Sequence, residues 1–173
     1  MRRIVVFVAA TTLVAMMFVP ATSAAPPTSD RVLQRAAEGS WSWVNTGWDV
    51  WKTTNKGVEH ASGSEDGTWT GTFEGTSTDS FAGVFKPSGA FFGLLTVKFE
   101  GAVGELTGTL EILTTFEVSA DDLDAPMTGT WMIVSGTDEL ANLRGNGTWV
   151  YEGADPTDHA SYTGIVKEFV PEA

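Results

Sequence analysis

Glu105-Leu-Thr-Gly-Thr-Leu-Glu-Ile-Leu-Thr-Thr-Phe-Glu-Val118 returns an apolar residue at nearly every second position. Leu106, Leu110, Ile112, Phe116 and Val118 fall on one face, and Glu105, Thr107, Thr109, Glu111, Thr115 and Glu117 on the other. An extended strand of period two separates these sets, whereas helical spacing would smear the carboxylates through the apolar stripe. The stretch is therefore a half-buried strand. The same mixture of Thr, Gly and aromatic residues, punctuated by Gly-rich turns, runs on to the C-terminus, which makes the chain an all-β protein.

Working outward, Thr68-Trp-Thr-Gly-Thr-Phe-Glu-Gly75 alternates Trp69 and Phe73 with Thr68, Thr70, Thr72 and Glu74 and predicts a second strand. Ser40-Trp-Ser-Trp-Val44 sets Trp41 and Trp43 on one face, and Trp48 to Lys52 is a further aromatic-rich segment. Phe81 to Phe85, Thr128 to Val134, Thr148 to Glu152 and Ser161 to Phe169 supply more short strands. Lys86-Pro-Ser-Gly89 is a turn, since proline presets φ and glycine frees the backbone after it. Further turns are expected at Gly101 to Gly104 and at Asn146-Gly-Thr148, the latter also a glycosylation sequon by pattern. His60 to Gly67 and Ser119 to Met127 are expected as acidic loops. Leu140 and Leu143, three apart, suit one helical turn folded against the sheet. The count is seven or eight strands, enough for a barrel whose interior is filled by side chains or holds one small ligand. Ala90 to Phe99 is apolar on both faces over its first half, which asks for a cover on its outer side and makes Phe91 to Val97 the candidate surface for a homo-oligomer.

The N-terminus differs in kind. Arg2 and Arg3, an apolar run from Ile4 to Val19, then Pro20 and small residues through Ala25 match a secretory signal peptide, with cleavage expected after Ala24 or Ala25. The run is short for a membrane span, so no membrane partner is expected after cleavage. Residues 25–38 would be a linker, with a short frayed helix from Arg31 to Glu38 capped by Asp30, and residues 39–170 a single β-barrel domain. Losing Arg2 and Arg3 moves the formal charge from −12 to −14, which repels phosphate backbones and argues against nucleic acid. A secreted or otherwise extracytoplasmic protein without cysteine must hold its fold by sheet and core alone.

Chemistry-bearing residues are sparse. Glu74, at a strand end, and Arg144, after the helical turn, are the candidate catalytic polar groups, and each has a plain alternative. For Glu74 that is an outward solvated carboxylate, and for Arg144 an ion pair with Asp138 or Glu139. Asp158, His159 and Ser161 lie too close in sequence to face one another as a hydrolase triad. Asp121, Asp122 and Asp124 lack the glycine and distal glutamate of a calcium loop, and two histidines without cysteine argue against structural zinc. Neither a metal nor any other cofactor is called for. Seven tryptophans are many for this length; most should fill the core, and two or three at a mouth would make a stacking or lipophilic site.

Gly129-Thr-Trp-Met-Ile-Val-Ser-Gly-Thr-Asp-Glu-Leu-Ala-Asn-Leu-Arg-Gly-Asn-Gly-Thr-Trp149 resembles a run carried by the domain-of-unknown-function family DUF3224. Gly71-Thr-Phe-Glu-Gly75, and Phe99-Glu-Gly101 with Leu106-Thr-Gly-Thr-Leu110, echo two more of its patterns. The resemblance spans about Gly39 to Lys167. It implies an eight-stranded antiparallel barrel similar to allene oxide cyclases and dirigent proteins, with a hydrophobic central cavity, in a family of no settled activity. Three functions stay open on that basis. One is binding of a small hydrophobic ligand lined by Trp69, Phe73, Phe99, Leu110, Ile112 and Trp131. The second is a cyclase- or isomerase-like enzyme that shapes a lipid-like substrate with help from Glu74 and Arg144. The third is a solid-cored interaction protein.

Overall fold

The strand from Leu106 to Ser119 pairs along its whole length with the strand Ala90–Val103 before it, and the period-two pattern holds on both. A computed structural model describes residues 31–52, 58–119, 122, 125–153 and 159–170. Eight strands run in order: β1 (Arg31–Lys52), β2 (Glu59–Gly71), β3 (Phe73–Phe85), β4 (Ala90–Val103), β5 (Leu106–Ser119), β6 (Met127–Gly136), β7 (Leu143–Tyr151) and β8 (His159–Val170). Each is antiparallel to the next, and β1 closes the circle on β8 from Arg31↔Val170 to Ser42↔His159. This pairing closes the sheet into a barrel, and beyond Ser42 β1 is paired with β2 on one side.

Closure explains the first departure from the sequence expectation. Arg31 to Glu38 is strand, not helix, because β8 needs a partner there, and pairing overrides the helical propensity of Leu-Gln-Arg-Ala-Ala-Glu. The signal segment and residues 25–30 lie outside the described residues. His60 to Gly67 is likewise strand, bonded to β1 on one side and β3 on the other. Its inward positions are Ala61, Gly63, Glu65 and Gly67, whose small size leaves room for rings from neighbouring strands. The Phe81 ring lies against Gly63, and the Trp41 indole beside Gly67. Asn146-Gly-Thr148 is mid-strand in β7 rather than a turn, with the Trp131 ring against Gly147. Gly101 to Val103 extend β4, and the chain turns at Gly104, whose φ of 68° suits glycine.

Two bulges matter for what faces inward. The β1–β2 register shifts between Asn45 and Gly47, leaving Thr46 unpaired, its hydroxyl bonded to Ser64 Oγ at 2.9 Å. Before this bulge Ala37, Trp41 and Trp43 point into the barrel; after it the parity changes and Trp48 turns in. A second shift, between Glu111 and Ile112, does the same opposite Val134 in β6.

The barrel's two ends differ. At the end where β2 meets β3, β4 meets β5 and β6 meets β7, a 3-10 turn (Asp138–Leu140) drops the fully buried Leu140 into the opening against Leu143. Trp69, Phe73, Phe99, Trp131 and Tyr162 pack above it with ring centroids 5.3–6.4 Å apart, mostly edge to face. The Tyr162 hydroxyl donates to the Thr70 carbonyl and accepts from the Phe73 N–H, both at 2.9 Å, tying β8 to both ends of the β2–β3 connection. On the outside, Phe92 and Leu94 of β4 are about 40% exposed, so their outer face is uncovered in the single chain, with Lys86 Nζ 5.1 Å from the Phe92 ring centre.

Candidate functional site: an aromatic cavity over a buried carboxyl

Among the described residues nothing plugs the opposite end of the barrel. There Trp41, Trp43 and Trp48 of β1, Phe81 of β3, Phe91 and Leu95 of β4, Phe116 and Val118 of β5, Met127 of β6 and Trp149 and Tyr151 of β7 enclose a cavity of about 280 Å³. That is at the small end of ligand pockets, suited to a molecule of one or two rings. The walls are predominantly aromatic faces: Trp41 stacks on Trp69 at 5.1 Å, tilts over Trp43 at 4.9 Å and meets Trp149 edge-on at 5.9 Å. Trp48, brought in by the bulge, lies 5.1 Å from Phe81. Among the described residues only Asn45 and Glu65 add polar side chains, and no lysine or arginine lines the space.

One row of the sheet carries that polarity. Asn45, Glu65 and Asp79 are successive cross-strand partners on β1, β2 and β3, followed by Val97 on β4, and partners directly opposite one another share a face. Asp79 is therefore the inward neighbour of Glu65, flanked along its own strand by Ser77 and Phe81. It is 1% exposed. Burial, opposed in part by the Ser77 hydroxyl and reinforced by the nearby charge of Asp66, pushes its pKa up to about 7.

Hydrogen bonding sets this spot apart. The other fully buried indoles have partners: Trp69 Nε1 donates to Ser77 Oγ at 2.9 Å, Trp149 Nε1 to Thr114 Oγ1 at 2.7 Å and Trp131 Nε1 to the Thr163 carbonyl at 3.1 Å. Trp41 Nε1 has none, nor does either carboxyl oxygen of Asp79; the Ser77 hydroxyl is near enough to act on the charge but not aligned for a formed bond. Among the described residues these three are the only buried side-chain polar atoms so left. They converge. A side chain beginning at position 67 would collide with Ser77 Oγ and start 3.0 Å from Trp41 Nε1 and 3.2 Å from Asp79 Oδ2, so these polar groups and the Ser77 hydroxyl gather against Gly67.

The residues singled out from sequence lie elsewhere. Trp69, Phe73, Phe99, Leu110, Ile112 and Trp131 are all buried, as expected, but in the packed body of the barrel, and none lines the cavity. Glu74 is outward and exposed near the plugged end. Arg144 is exposed too, and its guanidinium donates to the carbonyls of Ala141 and Leu143 rather than pairing with Asp138 or Glu139. Glu139 instead accepts from the Thr107 N–H and hydroxyl, both at 2.9 Å, and these bonds lower its pKa. His159 and Ser161 are exposed on β8, while Asp121, Asp124 and Asp158 lie outside the described residues. Among the described residues no group of three or more His, Cys, Asp or Glu is placed to hold a metal ion.

With this geometry in view, the comparisons with other proteins are informative. A family model described as "Protein of unknown function (DUF3224)" matches residues 37–163. The chain belongs to that family. A DUF3224 protein of unknown function from Shewanella oneidensis MR-1 is similar in fold, with a TM-score of 0.61 at 15% identity over 81% of this chain and 100% of that one. The pterocarpan synthase dirigent protein GePTS1 aligns over 85% of this chain and 99% of its own, at 14% identity and a TM-score of 0.49. No curated protein matches the sequence. The DUF3224 family carries no activity to transfer, so function has to be argued from the cavity.

Proposed function

We propose that this DUF3224 protein is an exported binding protein that takes one small, flat, largely apolar molecule into the open end of its barrel. The observation that carries this is the cavity of about 280 Å³ walled by ring faces in a barrel whose other end is plugged by Leu140. Rings held by neighbouring strands in a preformed pocket bind with little ordering cost, and burial of a ring system supplies the affinity. Export belongs to the same proposal and rests on the pattern from Met1 to Ala24; the N-terminal sequence of protein recovered from the extracytoplasmic fraction tests it. The enzyme alternative draws no support from Glu74 and Arg144, which sit on the outer surface away from the cavity.

Titration with naphthalene-based probes, followed by calorimetry, tests the binding. Saturable one-to-one binding is expected. Leu95→Trp, which puts a further large ring into the cavity wall, should weaken it at least about tenfold, whereas Leu143→Met in the plugged half should leave it unchanged. Equal binding by wild type and Leu95→Trp would place the probe outside the cavity and sink the reading.

A further inference from the structure

We propose that the ligand of this cavity is an organic cation, a protonated amine on a flat apolar body, whose ammonium is held between Glu65 and Asp79 under the aromatic walls. The inference rests on the cavity being a binding site and adds the class of molecule it takes.

Four observations lead to it. The first is the orphaned carboxyl. Both oxygens of Asp79 are buried without a hydrogen-bond partner, and a native interior seldom leaves such groups unmatched unless a missing partner completes them. The second is the row it belongs to. Asp79 stands beside Glu65, which lines the cavity, and Phe81 and Leu95, the next inward pair toward the mouth, line it as well, so the Asp79 carboxyl lies one cross-strand step behind the cavity wall without itself lining it. An ammonium offers three donors and a charge, enough to serve both carboxyls, whereas a neutral carbonyl oxygen could only accept from Asp79, and a hydroxyl brings a single donor and no charge.

The third is the wall. Four tryptophans, a tyrosine and three phenylalanines line the space, and the negative faces of such rings attract a cation most strongly where water is excluded. Among the described residues no lysine or arginine lines the space. The fourth is the whole-chain charge of −12, which draws cations toward the mouth and repels anions. With an ammonium in place, the Trp41 N–H is free to turn onto the Asp79 oxygen beside Gly67.

The groups facing Asp79 are Glu65 and, further out, Asp66 on β2, Ser77 on β3 and Trp41 on β1; its β4 neighbours Val97 and Leu95 are apolar. Empty, this carboxyl shares its proton with solvent near neutrality; a bound cation stabilises the ionised form and expels the proton.

The test uses three probes of one skeleton: 2-(1-naphthyl)ethylamine, 2-(1-naphthyl)ethanol and 1-naphthaleneacetate, titrated calorimetrically into the wild-type protein at pH 7. The amine is expected to bind at least about tenfold more tightly than the alcohol, with the acetate weakest. Heats measured in two buffers of different ionisation enthalpy should show a fraction of a proton released with the amine and none with the alcohol. Asp79→Asn should bring the amine down to the affinity of the alcohol and leave the alcohol unmoved, and Glu65→Gln should weaken the amine alone. Alcohol and amine binding alike, or an amine preference that survives Asp79→Asn, would overturn the cation while leaving the pocket standing, with solvent then serving Asp79 and Trp41. Binding of none of the three would overturn the pocket and the cation together.

Discussion

Asp79 is the residue on which stability and chemistry meet. Its folded pKa of about 7 lies above the 3.8 of an ordinary aspartate, so the folded chain holds the proton over a range in which the unfolded chain has lost it. Stability from this group is therefore highest below pH 4, falls as the pH rises toward 7, and is flat beyond. The shift of about three units corresponds to roughly 4 kcal/mol. Asp79→Asn should remove that component: in urea unfolding at pH 4.5 and pH 8, the variant should gain on the wild type at the higher pH. A difference that does not grow with pH would mean that Asp79 is solvated in solution. Tyr162 makes the opposite case, a buried polar group fully served. Tyr162→Phe orphans the Phe73 N–H and the Thr70 carbonyl partner and should cost about 1–3 kcal/mol by the same measurement.

At the scale of elements, the Thr46 bulge adds one residue to β1 on its way to the mouth. Deleting Thr46 removes the extra residue and leaves Gly47 outward opposite Ser64 and Trp48 inward opposite Gly63, beyond Asn45. The expected outcome is acrylamide quenching of tryptophan and probe binding both like the wild type; a more exposed tryptophan would mean that the register slips instead. This element also shows where sequence reasoning stops. β5, and the end of β2 with the start of β3, were legible because large apolar side chains such as Leu110, Ile112, Trp69 and Phe73 mark the inward parity. The first half of β2 was not, since Ala61, Gly63, Glu65 and Gly67 are small or acidic, and their inward parity shows only beside the rings they accommodate. Asp79 itself shares odd-numbered parity with Phe73 and Phe81, so carrying the alternation through Thr76 to Ser80 would have pointed it inward. The six lining candidates were legible as core but not by depth, because period two tells inside from outside and says nothing of position along the barrel axis.

For the molecule as a whole, the division into a plugged and an open half separates holding the fold from holding a ligand. Leu140, fully buried at the plug, should cost about 2–5 kcal/mol when cut to alanine, with affinity for a naphthalene probe unchanged at temperatures where the variant stays folded. Coupled loss of both would mean that the two halves form one unit. Seven or eight strands, the family and the single helical turn at Leu140 were readable from the chain, and the eight-stranded barrel followed from the family resemblance. What was not readable was the closure of β1 on β8, since a pairing across more than a hundred residues leaves no local pattern.

The glycines behind the cavity walls carry a last consequence. Phe81 rests against Gly63, Phe91 against Gly83, Phe116 against Gly93 and Trp149 against Gly129, each ring filling the place a side chain would otherwise take. The bore of the cavity is thus governed from behind, by residues that never meet its contents. A methyl group added at Gly93 would meet the Phe116 ring alone and push it toward the axis, whereas at Gly63, Gly83 and Gly129 it would also strike a backbone carbonyl, of Gly47, Phe92 and Thr115. Relatives could thereby change the size of guest they accept while keeping every lining residue the same.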